Sequence, residues 1–482
     1  MPAAWAIGSP GDPATTMPTS KHYPKFVVLS IDGVPYGLIQ RMVDQGDIPN
    51  LASLISRFGL RKMRSVQPTV SCVAWSTYMT GSNPGKHGIY GFIDRREGTY
   101  EVVFPNSSNR TAEDLWSIMS QAKKRVFGMN VPTTYPPQPV NGIMIGCFLS
   151  PSLEKAVYPA GLADYLRSID YRTDSDAALA RKDKRAMLDD LRKTLDARME
   201  AMFHFLEEEN WDFFHTHIMG TDRINHFLWE KMESNDEEFA PAFFAYYRRI
   251  DEYVGRLLAS LPDDVPLMIF SDHGFCSIKQ EVQLSRYLVE LGWTCPTERP
   301  QHPLSIDPLK SRAYCLIPGR VFVNLAGREP RGIVPLEQYE QTREQLAADL
   351  MNLRDPTNGQ AVIRKVVKRE DIYWPAGCAG ICARSAEQVA RADGTFGKAA
   401  DLIAIPYDGY DLKLGLAGDV IFKRTELEGM HTYEDAFLVA RGVDLPDDDL
   451  DIVMLARPIL ERLQVVPPAD MDGFGNAVPP AF

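Results

Sequence analysis

Positive charge is the first thing this chain is short of. Its 52 Lys and Arg stand against 64 Asp and Glu, leaving a formal charge of −12 over 482 residues. A protein that grips nucleic-acid polymer carries a basic face, so that class of partner is set aside. A small anionic substrate stays compatible, because bound cations outweigh net charge locally. Cysteine is sparse too. The seven (Cys72, Cys147, Cys276, Cys295, Cys315, Cys378 and Cys382) are odd in number and scattered, which argues against a disulfide framework. Cys378 and Cys382 form a C-x3-C pair without a second ligand pair, so they are not read as a zinc or redox site. No apolar run reaches the roughly 18 residues of a membrane-crossing helix. The first 20 residues lack a basic stretch followed by an apolar one, so they read as a disordered leader and not a signal peptide. The expectation is a cytoplasmic protein without membrane association. There is no internal repeat, and no signal for an oligomeric state.

What is present is alternation. Phe26-Val-Val-Leu-Ser-Ile31 is short, apolar and β-rich, and Asp32-Gly33 ends it. That is the pattern of a buried parallel strand with a polar residue at its carboxyl end. Helical patterns follow over Tyr36–Gln45 and Asn50–Phe58, then strand-like runs at Arg125–Met129 and Gly142–Phe148. A charge-rich helical stretch covers Ala177–Glu209, before a strand at Asp212–Met219, helices at Asp222–Met232 and Glu238–Leu261, and a strand at Pro266–Ser271. Strands interleaved with helices predict an α/β fold with a mostly parallel central sheet flanked by helices. From Cys295 to Thr425 Pro and Gly become frequent and the alternation loosens, which predicts an inserted cap. Ala436–Ala440 as a strand and Ile452–Leu463 as a helix return to the core. The expected organisation is a leader over 1–22, a core over 23–294 with a helical insertion at about 150–210, a cap over 295–425, a return over 426–465 and a loose tail over 466–482.

Ligands of such sheets gather outside the carboxyl ends of the strands. Three strands here end on acids or an acid–His pair: Asp32, Asp222 just past Met219, and Asp272-His273. Asp222 and His226 are four apart, a spacing that puts both on one helix face. Singly, each has a plain structural meaning: a surface pair, a loop cap, and for His431 near Gly429 a loop residue. Their joint order points to metal binding. Mixed carboxylate and imidazole ligands suit Zn²⁺ or Mn²⁺ better than Ca²⁺.

One more segment joins them: Gln67-Pro-Thr-Val-Ser-Cys-Val-Ala-Trp-Ser-Thr-Tyr-Met-Thr-Gly81, followed by Asn83-Pro-Gly-Lys-His-Gly88. With Leu29-Ser-Ile-Asp-Gly33 before it and Phe270-Ser-Asp-His-Gly274 after it, the chain resembles the type I phosphodiesterase/nucleotide pyrophosphatase branch of the alkaline phosphatase superfamily, over most of Lys25–Gly442. The resemblance implies an alkaline phosphatase-like core with two divalent ions. One would sit on Asp222, His226 and His431, the other on Asp32, Asp272 and His273 with Ser71. Counting back ten from Gly81 puts the nucleophile at Ser71, with Thr69 the nearest rival. Three carboxylates and a serine alkoxide balance two dications. The implied activity is hydrolysis of small phosphate esters through a phosphoserine, foremost as a phosphodiesterase or nucleotide pyrophosphatase. A phosphomonoesterase or phosphomutase on the same core, or a binding protein without catalysis, are the alternatives. Sulfatases of this core need Cys-x-Pro-x-Arg, and Ser71-Cys72-Val73-Ala74-Trp75 lacks it. One departure stands out. Phe92 falls where animal nucleotide pyrophosphatases carry a phosphate-holding Asn, leaving Lys86, Arg95, Arg96 or Asn130 as substitutes.

Overall fold

The computed structural model describes residues 23–472 apart from 177, 299–301, 303, 374–389, 391–393 and 448. The leader over 1–22, the pair Cys378 and Cys382, and the end of the tail from 473 lie outside the described residues. The five described cysteines are free thiols.

The apolar runs form an eight-stranded sheet. Its strands in chain order are β1 (Phe26–Ile31), β2 (Arg61–Met63), β3 (Val126–Met129), β4 (Gly142–Ile145), β5 (Val157–Tyr158), β6 (Phe213–Ile218), β7 (Leu267–Phe270) and β8 (Ala436–Arg441). Across the sheet the order is β2-β8-β7-β1-β6-β3-β4-β5. The five strands from β7 to β4 run parallel, while the two edges are antiparallel. This is the α/β architecture with a mostly parallel sheet that the alternation predicts.

β1 shows why the sheet is buried on both faces. All six of its residues are buried. Successive side chains point to opposite faces, so Val27, Leu29 and Ile31 enter one apolar core and Phe26 and Val28 the other. The first core takes Leu191, Phe227 and Phe243 from the helices Lys184–Glu208, Gly220–Glu233 and Phe239–Ser260. The second takes Trp75, Trp116 and Ile459 from the helices Ser71–Thr80, Leu115–Gln121 and Ala456–Arg462. The helix Ser71–Thr80 is buried at every residue after Ser71, and β1 is shielded from solvent on both sides.

Two further apolar cores lie mostly within the stretch expected as a cap, but one also takes Tyr90 and Ile93 and the other Val282, Leu284 and Leu288. Four antiparallel strands, Ala313–Leu316, Arg320–Val323, Leu402–Pro406 and Ile363–Lys368, carry the helix Tyr339–Met351. Ahead of Cys295, Gln280–Gln283 pairs with Tyr410–Lys413 and Phe422–Lys423. In the tail, Met471 and Asp472 are docked, 2% and 1% exposed. The Asp472 carboxylate accepts from the Asn83 backbone N–H at 2.8 Å and from the Asn83 amide at 3.0 Å. Among the described residues no helix is long and apolar enough to cross a membrane.

Candidate metal centre and nucleophile

The parallel strands β1, β6 and β7 lie side by side and end at the same edge of the sheet. Asp32 follows β1 directly. Asp222 sits in the first turn of the helix Gly220–Glu233 that follows β6, and Asp272-His273 lie just past β7. Adjacent strand ends therefore bring residues from 50 to 241 positions apart into one place, as the general rule for such sheets requires. Gly33 makes the turn after Asp32. Its φ of +65° suits glycine, and a Cβ there would lie 2.7 Å from the Phe275 ring. Its amide donates to Asp272 Oδ1 at 3.0 Å, tying the first strand end to the third.

His431 arrives differently. It lies in the strand Gly429–Thr432, antiparallel to Gly274–Ser277, directly opposite Phe275. Its ring stacks on His273 with centroids 3.7 Å apart. Two groups result: Asp222, His226 and His431, and Asp32, Asp272 and His273, each with ligand-capable atoms within 4.8 Å of one another. Ser71 is the first residue of the helix Ser71–Thr80, which no side chain caps. Its hydroxyl lies 3.1 Å from Asp32 Oδ1 and 3.2 Å from His273 Nε2. Thr69 turns its hydroxyl to the Val66 carbonyl at 3.1 Å.

The hydrogen bonds of the three histidines test whether cations fit. Each Nδ1 faces a backbone carbonyl: His226 to Gly429 at 2.8 Å, His431 to Thr69 at 3.1 Å and His273 to Gly274 at 3.0 Å. A carbonyl only accepts, so each Nδ1 carries the proton and, in the neutral rings, each Nε2 presents a lone pair. His226 Nε2 and His431 Nε2 then face each other at 3.1 Å, with Asp222 Oδ1 3.2 Å from the latter. Two lone pairs and a carboxylate repel unless a proton or a metal cation lies among them. Asp272 Oδ2 is buried without a hydrogen-bond donor, the mark of a further vacant acceptor. The donor set fits divalent ions, and histidine tautomers set by backbone carbonyls are the usual outer shell of metal sites.

Electrostatics separates the two groups. Burial, followed by repulsion from Asp222, pushes the Asp32 carboxyl up to about 7, against a hydrogen bond from Trp75. Burial and then Asp32 raise Asp272 well above the carboxylate range, and burial drives His273 down. In the other group burial would raise Asp222, but His226, His431 and Arg223 outweigh it and hold that carboxyl low. Burial lowers His226 to about 4 despite Asp222. For His431 burial acts downward too, but the Asp222 hydrogen bond and charge win and raise it.

Several participants carry no sequence motif. Trp75 Nε1 donates to Asp32 Oδ2 at 2.8 Å, leaving Oδ1 towards Ser71. His217 Nε2 lies 3.3 Å from Asp32 Oδ2. Ser30 Oγ links His217 Nδ1 and His215 Nε2 at 2.9 and 2.8 Å. Those inward-pointing polar residues inside strands had no legible signal. The suggested substitutes for the amide at position 92 all lie away from the cleft. Lys86 is bound to Asp472, Arg95 to Glu329, Arg96 to Glu101 at the surface, and Asn130 to Tyr171 and to the Thr173 carbonyl. The cleft is about 640 Å³, and besides Ser71, Asp222, His226 and His431 it is lined by Phe92, Phe148 and Arg223.

The family model described as type I phosphodiesterase / nucleotide pyrophosphatase matches residues 26–434. A search of curated proteins by sequence returns no match. Among solved structures, phosphonoacetate hydrolase from Sinorhizobium meliloti 1021, in complex with phosphonoformate, is similar with a TM-score of 0.61 at 15% identity. The similarity covers 92% of this chain and 96% of that one. Murine ectonucleotide pyrophosphatase/phosphodiesterase 5, in complex with AMP, is similar with a TM-score of 0.55 at 13% identity, over 94% and 98% of the two chains. At such identities the likeness establishes the fold.

Proposed function

This chain belongs to the type I phosphodiesterase/nucleotide pyrophosphatase family and is a phosphoric ester hydrolase, and on that premise we propose that it works through Ser71 beside two divalent ions, Zn²⁺ or Mn²⁺. Asp222, His226 and His431 would hold one ion, and Asp32, Asp272 and His273, with Ser71, the other. The observation that carries the reading is a pair of compact groups, together three imidazoles and three carboxylates, with the Ser71 hydroxyl against Asp32 and His273 of one of them. When bound, the ions supply the positive charge that stabilises the attacking and leaving oxygens of an in-line displacement.

The chain's own groups do the rest. Asp32 Oδ1 and His273 Nε2 flank the Ser71 hydroxyl at 3.1 and 3.2 Å and orient its oxygen, while its proton passes to solvent water. Ser71 Oγ bonds to phosphorus as the bond to the leaving oxygen breaks, and the departing group leaves as an alcohol. Water then cleaves the phosphoserine, returning the hydroxyl and releasing the phosphoryl group. The uncapped helix end at Ser71 turns unpaired backbone N–H groups and its positive dipole end to the phosphate oxygens.

The family reading favours diester and pyrophosphate bonds. A second reading, monoester hydrolysis, is favoured by one feature: the cleft has Phe92 where an uncharged amide was expected, and a cation, Arg223, beside Asp222. The protein is to be assayed after exhaustive chelation and again after adding Zn²⁺ or Mn²⁺, with bis-p-nitrophenyl and p-nitrophenyl phosphate. Activity that returns only with metal is expected. Full activity in protein shown metal-free by elemental analysis would overturn the two-metal reading.

A further inference from the structure

Arg223 lines the cleft beside Asp222, and the reaction above does not use its chemistry. It directly follows Asp222 on the helix Gly220–Glu233, and its side chain is 23% exposed. A guanidinium has five N–H donors. Nη2 donates to Asp174 Oδ2 at 2.8 Å, and Nη1 reaches Asp222 Oδ2 at 3.4 Å. Nε has no partner at all. The Nε atom is buried, and the guanidinium nitrogens Nη1 and Nη2 keep one N–H each beyond these bonds, on a residue that lines the cleft with Ser71. The planar group lies over the Phe148 ring at 5.6 Å, which fixes its plane. Phe92 stacks on the other part of that wall, 6.2 Å from Phe148 and 18° from parallel, and is 38% exposed. Asp174 and Phe148 thus hold a cation in the cleft wall next to Asp222. The same charge acts on Cys72, the neighbour of Ser71: burial and nearby acids push that thiol up, with Arg223 pulling the other way.

Resting on the hydrolase reading, we propose that Arg223 is the anion-holding residue of this site and selects phosphate groups bearing two negative charges, monoesters and terminal phosphates, over singly charged diesters. A neutral amide donates to a phosphate oxygen without regard to its total charge. A fixed cation does distinguish, because Coulomb attraction scales with the charge it meets and charge-assisted hydrogen bonds are roughly twice as strong as neutral ones. Phe92 and Phe148 then form a flat apolar wall beside the phosphate that fits an aromatic leaving group.

The test compares wild type with Arg223→Gln and Arg223→Lys, zinc-loaded, on p-nitrophenyl phosphate and bis-p-nitrophenyl phosphate. Binding of inorganic phosphate is measured by calorimetry, with zinc content and melting temperature confirming the fold. For Arg223→Gln the monoester kcat/KM should fall about 10- to 100-fold more than the diester value, and phosphate should bind more weakly by a similar factor. Arg223→Lys should recover part of both. Equal losses on the two esters with unchanged phosphate affinity would overturn the proposal and leave Arg223 as a structural tether between Asp174 and its helix. If wild type hydrolysed neither ester, the hydrolase reading would fall, and the phosphate affinities would still decide the role of Arg223.

Discussion

The two ligand groups use the same side-chain types and differ in where they sit. Asp32, Asp272 and His273 are wholly buried at 0% exposure, beneath the Ser71 helix and backed by Trp75 and His217. Asp222 is buried as well, but the His226 and His431 side chains are 21% and 19% exposed to the cleft. Burial raises the buried carboxyls, whereas the histidines around Asp222 hold its carboxyl low. The buried group is thus the more costly to keep charged and gains most from a cation. The cleft group is poised to exchange solvent and ligands. The groups differ in composition as well as depth: one carboxylate with two imidazoles faces the cleft, and two carboxylates with one imidazole lie buried.

The largest effect is expected where both groups serve one atom. Ser71→Ala should lower kcat by about a thousandfold or more, the scale of losing a nucleophile, while elemental analysis still finds the metals. Retention of more than about a tenth of the activity would be incompatible with Ser71 as nucleophile. If Thr69→Ala proved to be the inactive variant instead, the register of the nucleophile would be two residues out.

His431→Ala should divide the groups. It removes a lone pair from the cleft group alone, so affinity for one ion should fall beyond the roughly 100-fold that outer-shell changes reach, and the buried ion should stay. Mass spectrometry of the variant after substrate addition should find phosphate trapped on Ser71. Loss of both ions together would show that the two groups are one cooperative site and erase the distinction by depth.

The third prediction concerns pH. Asp32 has its carboxyl raised from 3.8 to about 7 in the folded metal-free chain. A raised pKa contributes stability that is fully present below about 4 and lost as pH rises through about 7. Bound cations require the charged carboxylate, so protons compete with them below that pH. The rise in melting temperature on adding Zn²⁺ should therefore be larger at pH 8 than at pH 5. His431→Ala should keep this pH dependence, because it belongs to the buried group. A thermal shift independent of pH would contradict it.

The smallest effect is assigned to the outer shell. Trp75→Phe keeps the ring packing and removes the N–H donated to Asp32 Oδ2. Metal affinity of the buried group should weaken about 10- to 100-fold, with the cleft group unchanged. Competition with a chromophoric chelator measures both.

Much of this was legible in the chain. β1 was readable as a buried strand because all six residues are buried on two faces and carry no alternation of polarity. Asp32, Asp222 and Asp272-His273 could be picked out because strand ends are where open α/β sheets gather ligands, and the structure sets them side by side. Other features were not legible. Arg223 and Trp75 look like ordinary helix residues until the fold turns them towards Phe148 and Asp32. Gln280–Gln283 has an ordinary strand pattern, and only the fold shows that it pairs with Tyr410–Lys413, about 130 residues later.

The sequence by itself determined the elements, their alternation and which acids and histidines stand at strand ends. These follow from local periodicity and from order along the chain. Tertiary structure alone decided which nitrogen of each histidine faces its neighbours. His431 receives its backbone partner from Thr69, 362 residues away, and His226 from Gly429, 203 residues away. Lone-pair direction is set by hydrogen bonds through space, and spacing along the chain carries no trace of it.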